Sequence, residues 1–173
     1  MHFTVAVITN EFENVDNMLE RFDETLQIEK ELSMTRDEAV ESGRSEPGHE
    51  GWSDEDCWKY TFDRYYGDDE LKDENGNLYY WTNPEAKWDW YEIGGRWENT
   101  VVTKDGEKVN SAKIGEIDFD KTPITFAVVT QDGEWYEEGW SEDEKATWNE
   151  EWYDRFISTS STNWTLTIVD CHC

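Results

Sequence analysis

Eleven tryptophans stand in a chain where forty-two Asp and Glu face only fifteen Lys and Arg, for a formal charge of −27. The two halves of that pairing normally exclude each other. High charge with few aromatics cannot bury enough apolar surface to fold, and such chains stay disordered. Here eight Tyr and seven Phe join the tryptophans, and each such ring can bury roughly 150–250 Å². The rings supply a core, so the chain reads as a folded domain with a strongly anionic surface. At 173 residues a single acidic domain spanning 1–173 is the default. The acids argue against direct binding to nucleic acid or an anionic membrane, whose phosphates reward Lys and Arg. They favour a basic partner, divalent cations, or simply solubility.

Met1-His2-Phe3-Thr4-Val5 runs straight into an apolar strand, without the basic start and small-residue cleavage site of a signal peptide. No apolar run nears the roughly 20 residues of a membrane helix. Cys57, Cys171 and Cys173 are odd in number and make no disulfide framework. An intracellular, reducing setting is expected.

The local signals point to α+β: an antiparallel sheet with two to three helices packed on it. Residues 3–8 form a β-branched run, and Met18, Leu19 and Phe22 share one face of a short helix. Residues 43–51 read as a loop. Ser53 followed by Asp56 starts a helix through Tyr65, with Trp58, Phe62 and Tyr65 on its buried face. Asn75-Gly76 is a turn into a strand at 78–81, and a further strand is expected from Trp97 to Thr103. The Ile124–Thr130 run connects through Gln131-Asp132-Gly133 to Glu134-Trp135-Tyr136 as a hairpin. Ser141 with Glu144 forms a capping box opening a helix to about Ser158. On it Trp148, Trp152 and Phe156 make the apolar row, opposite Asp143, Glu150 and Asp154. Trp164 to Val169 closes the sheet.

The densest stretch is Asn83-Pro84-Glu85-Ala86-Lys87-Trp88-Asp89-Trp90-Tyr91-Glu92-Ile93-Gly94-Gly95-Arg96-Trp97. It resembles the NPxAKWDWYxxGGRW core of a family of small uncharacterised proteins found widely in phage and prophage genomes. Further segments match that family's pattern in the same order. They are His2-Phe3-Thr4-Val5, Gly115-Glu116-Ile117-Asp118-Phe119, Phe126 to Gly139, Trp148-Asn149-Glu150 and the TLTxVDCH ending at Thr165 to His172. The resemblance spans most of the chain, with the acid-rich 11–74 region and Cys173 as departures. It implies no established activity. What it implies is a viral context, with the protein acting in the cytoplasm of an infected host cell.

Chemistry is thin. His2, His49 and His172 are the only histidines, and no Ser, Cys or acid sits in a nucleophile frame. No phosphate-cradling glycine loop ends in Lys-Ser/Thr. Around Asp170-Cys171-His172-Cys173, with His2 as a conceivable neighbour, zinc-type ligands occur. Yet adjacent strand residues point to opposite faces, so Cys171 and His172 do not easily share an ion, and Cys171 with Cys173 supplies only two thiolates. No catalytic residue, metal or cofactor is assigned. The Trp88–Trp97 stretch admits two readings. It is either an aromatic core cluster or a ligand platform of Trp88, Asp89, Trp90, Tyr91, Arg96 and Trp97, with rings stacking bases or sugars and Arg96 holding an anion.

The acids are concentrated: ten against Lys145 over residues 132–154, and eleven against Lys59, Arg64 and Lys72 over 46–74. Such rows approach the charge density of a nucleic-acid strand. The leading expectation is a non-enzymatic mimic of nucleic acid that blocks a basic, nucleic-acid-binding host protein, an immune effector or nuclease. Asp143, Glu144, Glu150, Glu151 and Asp154 on the late helix would carry it, with Asp54, Glu55, Asp68, Asp69 and Glu70 earlier. Trp140 and Trp52 are candidate rim contacts. The alternatives are a small-ligand or nucleotide-binding protein, or an enzyme, built on Trp88–Trp97, and a virion-associated structural protein.

Overall fold

A computed structural model describes residues 1–173. The chain is α+β, and its residues fall into two compact units: Met1–Asp23 with Lys87–Cys173, and the inserted segment Glu24–Ala86.

In chain order the first unit opens with β1 (His2–Thr9) and a short α1 (Val15–Leu19). Asn14 caps α1, its side chain accepting from the Asn17 N–H at 2.9 Å. A 3₁₀ turn, Glu20–Phe22, extends it, and Met18, Leu19 and Phe22 are all buried as their spacing predicts.

The inserted unit holds β2 (Glu29–Met34), α2 (Arg36–Arg44), α3 (Asp54–Tyr65) and β3 (Leu78–Thr82). β2 and β3 pair antiparallel. Its core is small: Ala39, Phe62 and Leu78, with Met34, Trp58 and Tyr66 packed around them. Ser53 starts α3 as expected, accepting from the Asp56 N–H at 3.1 Å. The expected buried row is only partly correct. Tyr65 is 55% exposed, and Cys57 and Thr61 are buried instead, because α3 packs on α2 through the Cys57 side of the helix. There Gly43 comes so close that a Cβ would stand 2.2 Å from the Cys57 carbonyl oxygen.

The first unit resumes with β4 (Trp90–Ile93), β5 (Val101–Val102), β6 (Lys108–Val109), β7 (Ser111–Lys113), β8 (Ala127–Val129) and β9 (Trp135–Glu137). α4 (Glu142–Trp152) follows and β10 (Thr165–His172) closes the chain. The strand expected over Trp97–Thr103 shrinks to Val101–Val102. Gly94 and Gly95 hold positive φ of 77° and 50°, and the chain turns through 3₁₀ geometry at Gly95–Trp97. Ser141 and Glu144 make the full capping box of α4. The helix runs on as a π turn, Tyr153–Ile157.

The main sheet has the order β4-β10-β1-β8-β9, with β7 also on β10. All pairings are antiparallel except β1 with β8. Side chains alternate between faces, and both faces are covered. Ala6, Ile8, Val128, Leu166 and Ile168 lie with Trp148, Trp152, Phe156 and Ile157 of α4 and its π turn. Phe3, Val5, Val7, Ala127, Val129, Val169 and Cys171 lie with Met18, Leu19, Phe22 and Trp88. Trp148 Nε1 donates to the Thr125 carbonyl at 2.8 Å, whereas the buried Trp152 Nε1 has no partner. No helix is long and apolar enough to cross a membrane.

Candidate functional site

All ten carboxylates expected to bind a partner are exposed, but their surroundings differ sharply. In the Glu24–Ala86 unit Asp54 pairs with Arg44, Glu55 with Arg36 at 2.6 Å, and Asp69 with Lys72. The bond from Lys72 holds the Asp69 carboxyl below its usual range. Asp68 serves as a cap, accepting from the Glu70 N–H at 2.9 Å. The Glu70 carbonyl accepts from Lys30 at 2.6 Å. Trp52 stacks on His49 at 3.6 Å, so its ring is already engaged. Three of the five carboxylates expected here are thus neutralised by neighbouring bases.

α4 is different. Glu144 serves its capping box, and its carboxyl is held low by the Ser141 hydrogen bonds. Lys145 pairs with Glu142 at 3.4 Å. Asp143, Glu150, Glu151 and Asp154 have no basic partner, because the nearby Arg155 lies instead over the rings of Tyr136 and Phe156 at 4.8 and 5.0 Å. A groove of about 360 Å³ runs along the helix, lined by Asp143, Glu144, Glu151, Arg155 and Phe156 among others. Trp140, just before the helix, is 78% exposed.

The Trp88–Trp97 stretch divides between the two readings its sequence allows. Trp88 is core: it is 8% exposed and its Nε1 donates to the Leu19 carbonyl at 3.0 Å. Tyr91 crosses it edge-on at 4.8 Å and donates to the Asp16 carboxylate. Burial first, and then Asp16, push the Tyr91 phenol well up. Trp97 packs against the α4-side core. Trp90 stays 47% exposed. The other five arginines each meet a carboxylate or a ring, and the Arg96 guanidinium meets neither.

The polar residues of this stretch converge with both chain ends. Along β10 one face reads Leu166, Ile168, Asp170, His172, and along β1 the same face reads Ile8, Ala6, Thr4, His2. On β4, Trp90 and Glu92 stand opposite His172 and Asp170. The face that carries α4 thus turns polar beyond Ile168. Asp170 is 1% exposed, a buried carboxylate that needs partners. His2 Nδ1 lies 2.8 Å from its Oδ1, and the Arg96 backbone N–H donates to its Oδ2 at 3.0 Å. Gly95 makes this possible, since a Cβ there would stand 2.4 Å from the Asp170 Cβ. Gly95 therefore admits a carboxylate of the chain itself.

A second pair mirrors the first. His172 Nδ1 lies 2.8 Å from Asp89 Oδ1, a bond that is the main cause holding the Asp89 carboxyl low. The two imidazoles meet at 4.9 Å between ring centres and 66°, and Trp90 crosses His2 edge-on at 6.0 Å. A carboxylate can only accept, so each Nδ1 carries the shared proton and each Nε2 is left free. Cys171 faces the other side, fully buried, its thiol pushed up to about 12 by burial and the adjacent Asp170. No three His, Cys, Asp or Glu side chains close on one point. Alternation along β10 foretells that Cys171 and His172 part company. The pairing of His2 with Asp170 and His172 with Asp89 needs the sheet order and is not in the sequence. Comparison with known protein families, with curated proteins and with solved structures finds no match.

Proposed function

We propose that the chain is a non-enzymatic acidic protein whose α4 face takes the place of nucleic acid on a basic host protein, in the cytoplasm of a phage-infected cell. The infected-cell setting rests on the motif resemblance. The binding rests on one observation: a helix face of carboxylates left without bases. From Glu142 to Asp154 six acids stand against Lys145, over about 18 Å of helix axis. A DNA strand spaces its charges by about 3.4 Å, so the same length holds about five phosphates. Six acids less one lysine leave five, a matching density. The groove beside Asp143 and Glu151 offers room for a Lys or Arg side chain between acid and ring. Immobilised protein exposed to host lysate should retain a basic protein that short duplex DNA displaces at constant ionic strength. The triple variant Asp143→Lys, Glu150→Lys, Asp154→Lys should weaken retention at least tenfold. Retention that ignores both DNA and the triple variant defeats the reading.

A second reading, a small ligand at the Trp90 end of the motif, is supported by the exposed Trp90 ring and the unpartnered Arg96 guanidinium. Its mark is loss of function in Arg96→Ala with the fold intact.

A further inference from the structure

We infer that His2 and His172 together bind a divalent transition-metal ion through their Nε2 atoms, with water filling the remaining positions. Nothing in this depends on α4 or its partner.

Three facts converge. Histidines that ligate metals characteristically give their other ring N–H to a carboxylate, which fixes the tautomer and aims the free nitrogen outward. Both histidines here have that arrangement, with Asp170 behind His2 and Asp89 behind His172, each at 2.8 Å. Direct cross-strand partners on β1 and β10, they place their rings 4.9 Å apart. A metal–nitrogen bond of about 2.05 Å puts an ion roughly 3.2 Å from each ring centre. With both Nε2 atoms turned toward one ion, two such legs across the 4.9 Å between ring centres would close at an N–metal–N angle of about 100°, near tetrahedral.

Charge selects the ligand class. Asp89, Glu92 and Asp170 surround the pair, and the chain carries −27, so an anion is repelled while a cation is drawn in. Hard ions such as Mg²⁺ and Ca²⁺ want a cage of oxygens, and here Asp89 and Asp170 are each already engaged by an imidazole. Imidazole nitrogens suit Zn²⁺, Ni²⁺ and above all Cu²⁺. With no third protein donor in reach, the ion keeps open positions where an exchangeable ligand can enter.

The test uses Cu²⁺ and Zn²⁺ themselves, titrated by calorimetry in a non-chelating buffer, with tryptophan fluorescence followed alongside. One ion per chain is expected, and Cu²⁺ should quench Trp90, whose ring centre lies 6.0 Å from that of His2. His2→Asn and His172→Asn keep an N–H for the buried carboxylate or for Asp89 but lose the free nitrogen, and each should weaken binding at least tenfold. Trp90→Phe should reduce the quenching and leave the calorimetric affinity unchanged. The inference is overturned by the absence of saturable binding. It is equally overturned by binding that survives His172→Asn and vanishes on N-terminal acetylation, which would assign the ion to the Met1 amine and His2.

Discussion

Replacing Gly95 by alanine probes the clasp around Asp170, and a second glycine provides the control. At Gly95 φ is +50°, where an L-residue loses roughly 1–2 kcal/mol. The new Cβ would also stand 2.4 Å from the Asp170 Cβ and 2.6 Å from its Oδ2. The Asp170 Cβ is fixed to a central strand and cannot swing aside, so the carboxylate must shift. Its bonds to His2 and to the Arg96 N–H are charge-assisted, worth about 1.5–3 kcal/mol each. Losing both brings the total to roughly 4–8 kcal/mol, comparable to the 5–15 kcal/mol that holds a typical domain folded. Gly106 has φ +91°, and a Cβ there would have nothing within 4 Å, so Gly106→Ala loses only the backbone part. Urea denaturation followed by tryptophan fluorescence should place Gly95→Ala below Gly106→Ala by at least about 2 kcal/mol, or roughly 4–8 °C in Tm. Equal losses would mean that Asp170 is not held as described.

Trp88→Phe and Trp152→Phe remove the same atoms with different results. The first strands the Leu19 carbonyl that Trp88 satisfies and should destabilise by about 1–3 kcal/mol beyond lost packing, whereas the second deletes a buried N–H without a partner and should lose the packing part alone by the same denaturation assay. A thiol reagent at about pH 8 should label one cysteine in the native protein and all three in denaturant, since Cys173 is exposed, Cys57 and Cys171 are buried, and the Cys171 thiol stands at about 12. A second fast-reacting native thiol would contradict the burial of both.

Local signals were the legible ones. Ser53 and Ser141 start their helices where hydroxyl and acid spacing says, and β1, β8 and β10 lie on the β-branched runs. The Thr35–Glu38 box opening α2 carries the same signal, but only Ala39, Val40 and Gly43 are buried on that helix, too small a stripe to stand out among acids. β4 hides for another reason. Its residues Trp90–Ile93 are partly or fully exposed, so no alternation marks it, and only its pairing with β10 makes it a strand. The acidic surface was legible residue by residue, whereas its partial neutralisation by Arg36, Arg44 and Lys72 depends on folded neighbours. The histidine pairs lie furthest from sequence reach, because they join positions 168 and 83 apart.

The placement of β1 beside β10 at the middle of the sheet governs how the protein comes into being. β1 is made well before β10, so the strand pair at the sheet's centre cannot close until the intervening chain has been made. Until then the apolar run from Val5 to Ile8 has only β8 to pair with. A sheet whose central contact spans nearly the whole chain folds slowly, because the loop must close before the contact rewards it. A nascent chain halted short of residue 165 would lack the strand that joins β4 and β7 to β1, and would expose that edge to aggregation or proteolysis. Closure of the sheet therefore waits for the eight residues of β10, the strand that joins β4 and β7 to β1.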